Sequence, residues 1–529
     1  MPHALFVRTR LVMLSVLLAL AGSIGCSSSF NSPSRETTEG LGDPPVRIPR
    51  PKPTGTPALG LNLAAVQDWS REWAFVDVFK GARSWTPTGK GKLAFDKNGN
   101  PLPDASQTAW TLLLRDLGGH YPAGKYTATW RGSGEVEVKR WDVTRVIEKT
   151  NNRAVVDVKP DDGGIQIDLK SSRANDPIRD FHVWMPGHEN ARSPFHPLFI
   201  ERLKPAKVVR FMDWQRTNNS TLAKWTDRSK PTDPTYATEQ GVPLEMMVSL
   251  ANTAKVDPWF CMPHLADDDF IRQFARLVKT QLSKERTAYV EFSNEVWNWQ
   301  FKQATWARER GEERRLGKPE HARFYSERAV EVMKIWEEEF GRERLVRVLG
   351  SQAAVPWLSE QIVGWKDAYK HADALAIAPY FGHEYGDPKA ADATTKLSTD
   401  KLLDALEKEV DGPNREVIRK QVEIAGKYNL RLVAYEGGQH LVGHAGAENN
   451  AELTKLFHAT NRHPRMYDLY RKHLRHWSEE GGELYVLFNY ATAPTKWGSW
   501  GLLEYQDQAI AEAPKYRAFV DAGNGRPAK

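Results

Sequence analysis

Two segments decide the fold: YVEFSNEVWN at residues 289–298 and RLVAYEGG at residues 431–438. Each is a short apolar run, rich in residues that favour β-structure, that ends in a carboxylate: Glu295 in the first and Glu436 in the second. A carboxylate at the carboxyl end of a buried parallel strand lies where a (β/α)8 barrel keeps its catalytic groups. The two segments therefore predict a barrel and two candidate catalytic residues together.

Apolar runs alternate with helical stretches through most of the chain. The run that begins at Leu59 is the first of eight, and the runs that carry Glu295 and Glu436 are the fourth and the seventh. The other predicted strands lie at residues 206–214, 258–264, 345–351, 374–380 and 483–490. Strands alternating with helices in this way are typical of a TIM barrel. We therefore predict an α/β fold whose (β/α)8 TIM barrel comprises residues 57–85 and 191–529.

Residues 86–190 interrupt this rhythm with a different pattern. Short alternating runs, such as those at 125–130 and 165–169, are separated by turns rich in Gly, Asn and Asp. Several short strands at this spacing are typical of a small antiparallel sandwich. We therefore predict an inserted, β-rich, sandwich-like domain between the first and second barrel strands, near the barrel rim.

The first 56 residues have the features of an export signal followed by a linker. Arg8 and Arg10 precede an apolar stretch that ends at Gly25, and Cys26 follows it. This arrangement is typical of a secretory signal peptide, here residues 1–25. The segment from Cys26 to residue 56 is rich in Pro and Ser and predicts a semi-extended linker.

The cysteine after the signal resembles that of bacterial lipoprotein signals. This resemblance implies that Cys26 is lipidated and that the exported protein is anchored to the membrane, on the periplasmic or surface side of the cell envelope. An ordinary signal peptide with an incidental cysteine, and hence a secreted protein, is the alternative.

Composition and charge narrow the function classes further. The chain of 529 residues has a net charge of +6 and no basic block with interleaved aromatics, which argues against nucleic acid as a partner. Only Cys26 and Cys261 are present, which excludes a disulfide framework and a cysteine-based zinc site. We expect no cofactor and no metal. His440 and His444 lack an adjacent Glu, and the acidic run at 267–269 fits the start of a helix.

Asn294 and Glu295 at the end of the fourth strand, with Glu436 at the end of the seventh, resemble glycoside hydrolase clan A. This superfamily of retaining TIM-barrel enzymes includes cellulases, mannanases, xylanases and β-glycosidases. The resemblance implies that Glu295 is the general acid/base, that Glu436 is the nucleophile and that Asn294 holds the substrate 2-hydroxyl. It rests on pattern and position, and Val296 stands where the clan usually has proline.

Three further residues match substrate-binding positions of the clan. Tyr380, which closes the sixth strand, matches the tyrosine that hydrogen-bonds the nucleophile, and Arg210 in the second strand matches the arginine that orients it. His264 lies where the clan often has a histidine after the third strand, although Leu265 replaces the asparagine that usually follows. A rim tyrosine, a structural ion pair and a structural histidine are the respective alternatives.

Tryptophans supply the remaining candidates, because an indole face stacks on the apolar face of a pyranose ring. The chain has 19 tryptophans, a high number for its length. Trp497 and Trp500, after the eighth strand, resemble the clan's platform tryptophan beneath the cleaved sugar, and Trp497 is favoured. Trp297 and Trp299 are candidates for further subsites, with packing of their loop as the alternative.

The chemistry of a carboxylate pair supports the same function. Retaining hydrolysis needs an ionised carboxylate to attack the anomeric carbon and a protonated carboxyl, about 5–5.5 Å away, to release the leaving oxygen. We therefore expect an exported retaining glycoside hydrolase that cleaves β-linked polysaccharide or oligosaccharide by double displacement. The alternative is a non-catalytic surface lipoprotein that binds carbohydrate. The sequence has no nucleophile elbow and no phosphate-binding loop, and a peptidase or an esterase is a more distant alternative.

Overall fold

The computed structural model describes residues 55–88, 92–96, 99–102, 108–139, 145–173 and 175–526. The predicted signal peptide, Cys26 and nearly all of the predicted linker lie outside these residues. None of the helices in the described ranges combines the length and the apolar character that a membrane span needs.

After the first strand, β1 (Ala58–Asn62), the chain leaves the barrel and forms a group of short antiparallel strands. They are β2 (Thr86–Thr88), β3 (Ala94–Phe95), β4 (Pro101–Leu102), β5 (Thr108–Leu113), β6 (Gly124–Arg131), β7 (Gly134–Lys139), β8 (Arg145–Lys149), β9 (Arg153–Val158), β10 (Ile165–Ser172) and β11 (Arg179–Trp184). Two four-stranded sheets, β2-β5-β10-β7 and β11-β6-β9-β8, account for eight of these described strands, and β3 pairs with β4. That this region is an independent domain with limits at 86 and 190 stays a prediction.

The two four-stranded sheets enclose an apolar core of their own. Tyr126, Trp130, Ile167 and Phe181, contributed by both sheets, are buried in it. The segment after β1 holds one of these sheets through Asp77, which accepts a hydrogen bond of 2.9 Å from the backbone N–H of Val183.

The chain then returns to the barrel, in which eight parallel strands of the described residues close a single sheet. After β1, the barrel strands are β12 (Val208–Arg210), β13 (Asp257–Met262), β14 (Ala288–Phe292), β15 (Leu345–Gly350), β16 (Ala374–Ile377), β17 (Arg431–Ala434) and β18 (Leu484–Leu487). The barrel closes between β18 and β1, where Leu487 pairs with Leu61. Every residue of β13 and β14 is buried, as expected for parallel strands covered on both faces. The predicted TIM barrel is confirmed.

Helices connect these strands and surround the sheet. Their bounds are α1 (Pro197–Leu203), α2 (Leu244–Ala254), α3 (Asp268–Gln281), α4 (Lys302–Glu313), α5 (Glu320–Glu339), α6 (Pro356–Gly364), α7 (Pro388–Thr394), α8 (Thr399–Asp411), α9 (Pro413–Lys427), α10 (Ala451–Arg462), α11 (Arg465–Glu480) and α12 (Pro514–Gly523). Asp267 caps α3 by accepting a hydrogen bond of 2.8 Å from the N–H of Phe270, so the acidic run at 267–269 does start a helix.

Several strands end earlier than the sequence indicates. β14 ends at Phe292, three residues before Glu295, because the backbone turns into the left-handed region at Ser293 (φ +60°) and again at Glu295 (φ +42°). β17 likewise ends two residues before Glu436. Both carboxylates therefore lie on loops at the carboxyl ends of the strands, over the mouth of the barrel.

Candidate active site

Arg210, the last residue of β12, is the centre of a buried polar network at this mouth. Its side chain is fully buried, and its Nη1 donates a hydrogen bond of 2.9 Å to Oε1 of Glu436. Its Nη2 donates to Oε2 of Glu291 at 2.9 Å and to Oδ1 of Asn294 at 2.7 Å. The guanidinium thus connects the ends of β12, β14 and β17.

Glu436 is buried and has strong partners for its negative charge. One oxygen accepts from Arg210, and the other accepts a hydrogen bond of 3.1 Å from the hydroxyl of Tyr380. A guanidinium and a phenol on opposite oxygens stabilise the ionised carboxylate and fix its plane.

Glu295 is partly exposed and has only uncharged hydrogen-bond partners in the described structure. The hydroxyl of Tyr435 donates to its Oε1 at 3.1 Å, and Nδ2 of Asn298 donates to its Oε2 at 2.9 Å. Its positive φ is unfavourable for a side chain of this kind, and such backbone positions are concentrated at functional sites.

The two carboxyl groups are suited to opposite charge states. Burial raises the pKa of both, and repulsion from Glu295 raises the pKa of Glu436 further. Arg210 and Tyr380 act against this increase, because both favour ionised Glu436. When Glu295 and Glu436 share one negative charge between them, the hydrogen-bond partners favour the charge on Glu436 and the proton on Glu295.

Asn294 is held rigidly beside the two carboxylates. Its Oδ1 accepts from Arg210, and its Nδ2 donates a hydrogen bond of 2.9 Å to Asn218. Gln303 in α4 donates to both Asn218 and the backbone carbonyl of Asn294. These contacts fix the Asn294 side chain in place next to Arg210.

Five of the residues singled out in the sequence therefore form one network: Glu295, Glu436, Asn294, Arg210 and Tyr380. His264 is placed apart from the hydrogen bonds of this network. Its ring lies edge-on to Trp306, and its Nδ1 has no partner among the described residues. Burial lowers the pKa of His264 to about 4, so the ring is neutral at pH 7.

The two tryptophans after β18 have different surroundings. Trp497 is 49% exposed, and the ammonium of Lys496 lies over its ring; its platform role stays a prediction. The ring of Trp500 lies 5.8 Å from Tyr380 and 5.9 Å from Phe488, next to the partner of Glu436. Trp297 packs against the barrel core, and no residue of the described structure accepts from its Nε1.

Sequence reasoning missed two buried side chains of this network. Glu291 is 1% exposed inside β14, and Tyr435 bonds Glu295 although it adjoins Glu436 in the chain. A charged residue in the middle of an apolar strand was the available signal for Glu291, since a buried carboxylate needs a partner. Within the described residues, no group of three or more His, Cys, Asp or Glu side chains is placed to hold a metal ion.

Comparisons with known proteins give matches only among solved structures. No family model and no curated protein matches the sequence. A GH5-4 broad-specificity endoglucanase from Clostridium acetobutylicum matches with 10% identity over 63% of this chain and 92% of that chain, with a TM-score of 0.37. A β-glucosidase from Thermotoga maritima matches with 12% identity over 62% of this chain and 85% of that chain, with a TM-score of 0.35. The exo-β-1,4-mannosidase Op5Man5 from Opitutaceae bacterium strain TAV5 matches with 11% identity over 62% and 55% of the two chains, with a TM-score of 0.36.

Proposed function

We propose that this protein is a retaining glycoside hydrolase that cleaves β-linked polysaccharide or oligosaccharide, with Glu436 as the nucleophile and Glu295 as the general acid/base. One observation carries this proposal: the two carboxylates have unequal partners. Glu436 is bonded by a cation and a phenol, whereas Glu295 is bonded only by neutral donors. This inequality is what double displacement requires of its two carboxyl groups.

The first step forms a glycosyl-enzyme. Ionised Glu436 attacks the anomeric carbon, the bond from that carbon to the glycosidic oxygen breaks, and Glu295 gives its proton to the departing oxygen. Arg210 and Tyr380 hold Glu436 in place for the attack. Asn294, fixed next to Arg210, is the residue that holds the 2-hydroxyl of the sugar in this proposal.

The second step releases the sugar and restores the enzyme. Glu295, now ionised, takes a proton from a water molecule, and the water oxygen attacks the anomeric carbon. The bond between that carbon and Glu436 breaks, so Glu436 is again ionised and Glu295 again protonated. Two inversions at the anomeric carbon give net retention.

Export and a lipid anchor at Cys26 belong to the same proposal. They are supported by the signal-like residues 1–25 and by the cysteine that follows them. An enzyme held at the cell envelope would meet polysaccharide outside the cytoplasm.

The decisive experiment compares Glu295→Ala and Glu436→Ala on a panel of activated aryl β-glycosides of glucose, mannose, xylose and galactose. General acid catalysis contributes about 10²–10⁴-fold where the leaving group needs a proton. Glu295→Ala should therefore retain glycosylation of activated substrates, and azide should accelerate its turnover. Glu436→Ala should lose the activity on every substrate, and azide should give product of inverted configuration. Glu384→Ala, at an exposed carboxylate after β16, is the control that keeps wild-type activity.

A fluorinated slow substrate tests the nucleophile directly, because it should label Glu436 in a peptide mass map. Labelling of another carboxylate would contradict the assignment, as would full activity in both alanine variants. A folded wild-type protein that binds glycans but turns over none of the panel would support the non-catalytic carbohydrate-binding alternative.

A further inference from the structure

Glu291 is a buried carboxylate that the reaction steps above do not use. It lies in β14, four residues before Glu295, and is 1% exposed. Its Oε2 accepts from Nε and Nη2 of Arg210 at 3.2 and 2.9 Å and from Nε1 of Trp259 at 3.0 Å. Sγ of Cys261 lies 3.6 Å from the same oxygen. An oxygen with this many donors carries the charge of an ionised carboxylate.

Glu291 fixes the direction of the guanidinium. It occupies Nε and one edge of the fork, which leaves Nη1 to donate to Glu436 at 2.9 Å and to Asn62 at 3.2 Å. The rings of Trp259 and Tyr435 lie 5.7 and 5.0 Å from the same guanidinium. Arg210 is therefore held on its edge by a carboxylate and packed by aromatic rings, with no free rotation toward another partner.

The chain also keeps space for this carboxylate. A Cβ atom at Gly350, the last residue of neighbouring β15, would lie 3.0 Å from Oε1 of Glu291. Such a contact is tighter than ordinary packing allows, so a side chain at 350 would press on Glu291. Gly350 therefore leaves room for the Glu291 carboxylate, and the side chains of Arg210, Trp259 and Cys261 donate to it.

Arg210 alone would present a problem for a nucleophile. A cation hydrogen-bonded to Glu436 stabilises its ionised form, but an unshared full positive charge also makes the carboxylate less basic and less nucleophilic. In this structure the positive charge is divided between Glu436 and Glu291.

We propose that Glu291 is a positioning residue, which fixes Arg210 and neutralises part of its charge so that Arg210 orients Glu436 without weakening it as a nucleophile. This inference rests on the proposed function. β14 then has two roles: it contains Glu291, the counter-charge for Arg210, and it leads into the loop that carries the acid/base Glu295.

The other titratable groups around Glu436 do not replace Glu291 as the counter-charge of Arg210. The titratable groups that act on Glu436 come from four other strand ends as well as its own, namely Arg210, Asp213, Cys261, Glu295, Tyr380 and Tyr435. The titratable groups that interact electrostatically with Glu291 are Arg210, Cys261, Glu295, Tyr325 and Tyr435. Among the described groups named here, Arg210 is the sole cation, so loss of the Glu291 charge leaves the cation facing Glu436 with less compensation.

The test uses Glu291→Gln, which keeps the size of the side chain and removes its charge. The full-length variant, labelled with ¹³C at glutamate carboxyl carbons, is titrated by NMR, and Glu436→Gln identifies the Glu436 signal. We expect the apparent pKa of Glu436 to fall by about one unit relative to wild type, since a nearby charge shifts a carboxyl by about that much or more. The acid limb of the kcat/KM profile on the best aryl glycoside should move down with it, with kcat/KM at the optimum reduced about tenfold.

Two controls separate charge from packing. Glu480→Gln removes another buried carboxylate, at the end of α11, which is paired with Arg415 and Arg419 of α9. It should leave both the titration and the profile unchanged. Glu291→Asp keeps the negative charge, but its side chain is one methylene shorter and no longer reaches Arg210 in the same geometry. It should keep the wild-type pKa of Glu436 while kcat falls about tenfold through a displaced Arg210. If Glu291→Gln does not fold, an unchanged kcat in Glu291→Asp overturns the proposal.

An unchanged or raised pKa of Glu436 in folded Glu291→Gln overturns the inference, because a residue that only packs would behave in this way. The NMR titration needs no substrate. A protein that hydrolyses no glycoside but shows the expected fall would refute the proposed function and leave the coupling of Glu291 to Glu436 established.

Discussion

The two carboxylates each accept a hydrogen bond from a different tyrosine, and this allows their roles to be separated by removing one oxygen atom at a time. Tyr380→Phe removes the donor 3.1 Å from Oε2 of Glu436, and Tyr435→Phe removes the donor 3.1 Å from Oε1 of Glu295. In both variants the aromatic ring remains. The ring of Tyr435 also keeps its place beside the Arg210 guanidinium.

The direction and size of each effect follow from the chemistry of the donor. A hydrogen bond to a charged group contributes about 1.5–3 kcal/mol, and 1.36 kcal/mol corresponds to about one pKa unit. Each tyrosine lowers the pKa of its own carboxyl by favouring the ionised form, so each phenylalanine should raise that pKa by about one to two units.

The two increases should appear on opposite limbs of the pH profile. In the proposed mechanism Glu436 is ionised to attack, so its pKa sets the acid limb, and Tyr380→Phe should move that limb to higher pH. Glu295 is protonated to release the leaving group, so its pKa sets the basic limb, and Tyr435→Phe should move that limb to higher pH. Tyr380→Phe should therefore narrow the pH range of activity, and Tyr435→Phe should widen it.

The assay is kcat/KM for an aryl β-glycoside measured across the pH range in which the folded protein keeps its circular dichroism spectrum. Tyr467→Phe, which loses a hydrogen bond of 2.9 Å to Asp521, is the matched control and should move neither limb. If Tyr380→Phe moved the basic limb, or Tyr435→Phe the acid limb, the roles assigned to Glu436 and Glu295 would be reversed. If neither limb moved in either variant, the reasoning from these hydrogen bonds would be refuted.

Two further predictions concern the tryptophans after β18 and Cys26. Trp500→Ala should reduce kcat/KM about tenfold because its ring packs beside Tyr380, whereas Trp497→Ala should stay within about twofold of wild type. Equal losses in the two variants, measured on the same aryl glycoside, would contradict this placement. Cys26→Ala should release soluble protein from the membrane fraction. Retention of the variant after a high-salt wash, together with no acyl mass on the native protein, would exclude the lipid anchor.

The barrel could be predicted because its strands are buried on both faces and appear as continuous apolar runs. In β13 and β14 every side chain is buried, so apolar residues are favoured at most positions of these strands. Since parallel strands in a closed barrel all point the same way, residues just past their ends meet at one mouth. Glu295 and Glu436 were therefore predictable as a pair although they lie far apart in the sequence.

The partners inside the barrel were less predictable, because strand register decides them. Arg210 could bond Glu291, Asn294 and Glu436 only if β12, β14 and β17 ended at matching heights. A pattern of apolar runs fixes strand ends only to within a few residues, and β14 ends three residues before Glu295. An uncertainty of this size is enough to hide whether Glu291 or Glu295 bonds Arg210.

The position of Trp500 rather than Trp497 beside Tyr380 depends on contacts that no local pattern contains. The backbone carbonyl of Ser499 accepts from Nε2 of Gln439, in the loop after β17, and from Nζ of Lys515, in α12. Lys515 is almost completely buried, and burial lowers the pKa of its ammonium to about 7. A lysine at that depth is costly unless its donors have fixed acceptors, and here one acceptor is the residue before Trp500. The loop is therefore tied to a strand end on one side and to the last helix on the other. These contacts of Ser499 with Gln439 and Lys515 determine which tryptophan ring lies beside Tyr380, and they exist only in the folded chain.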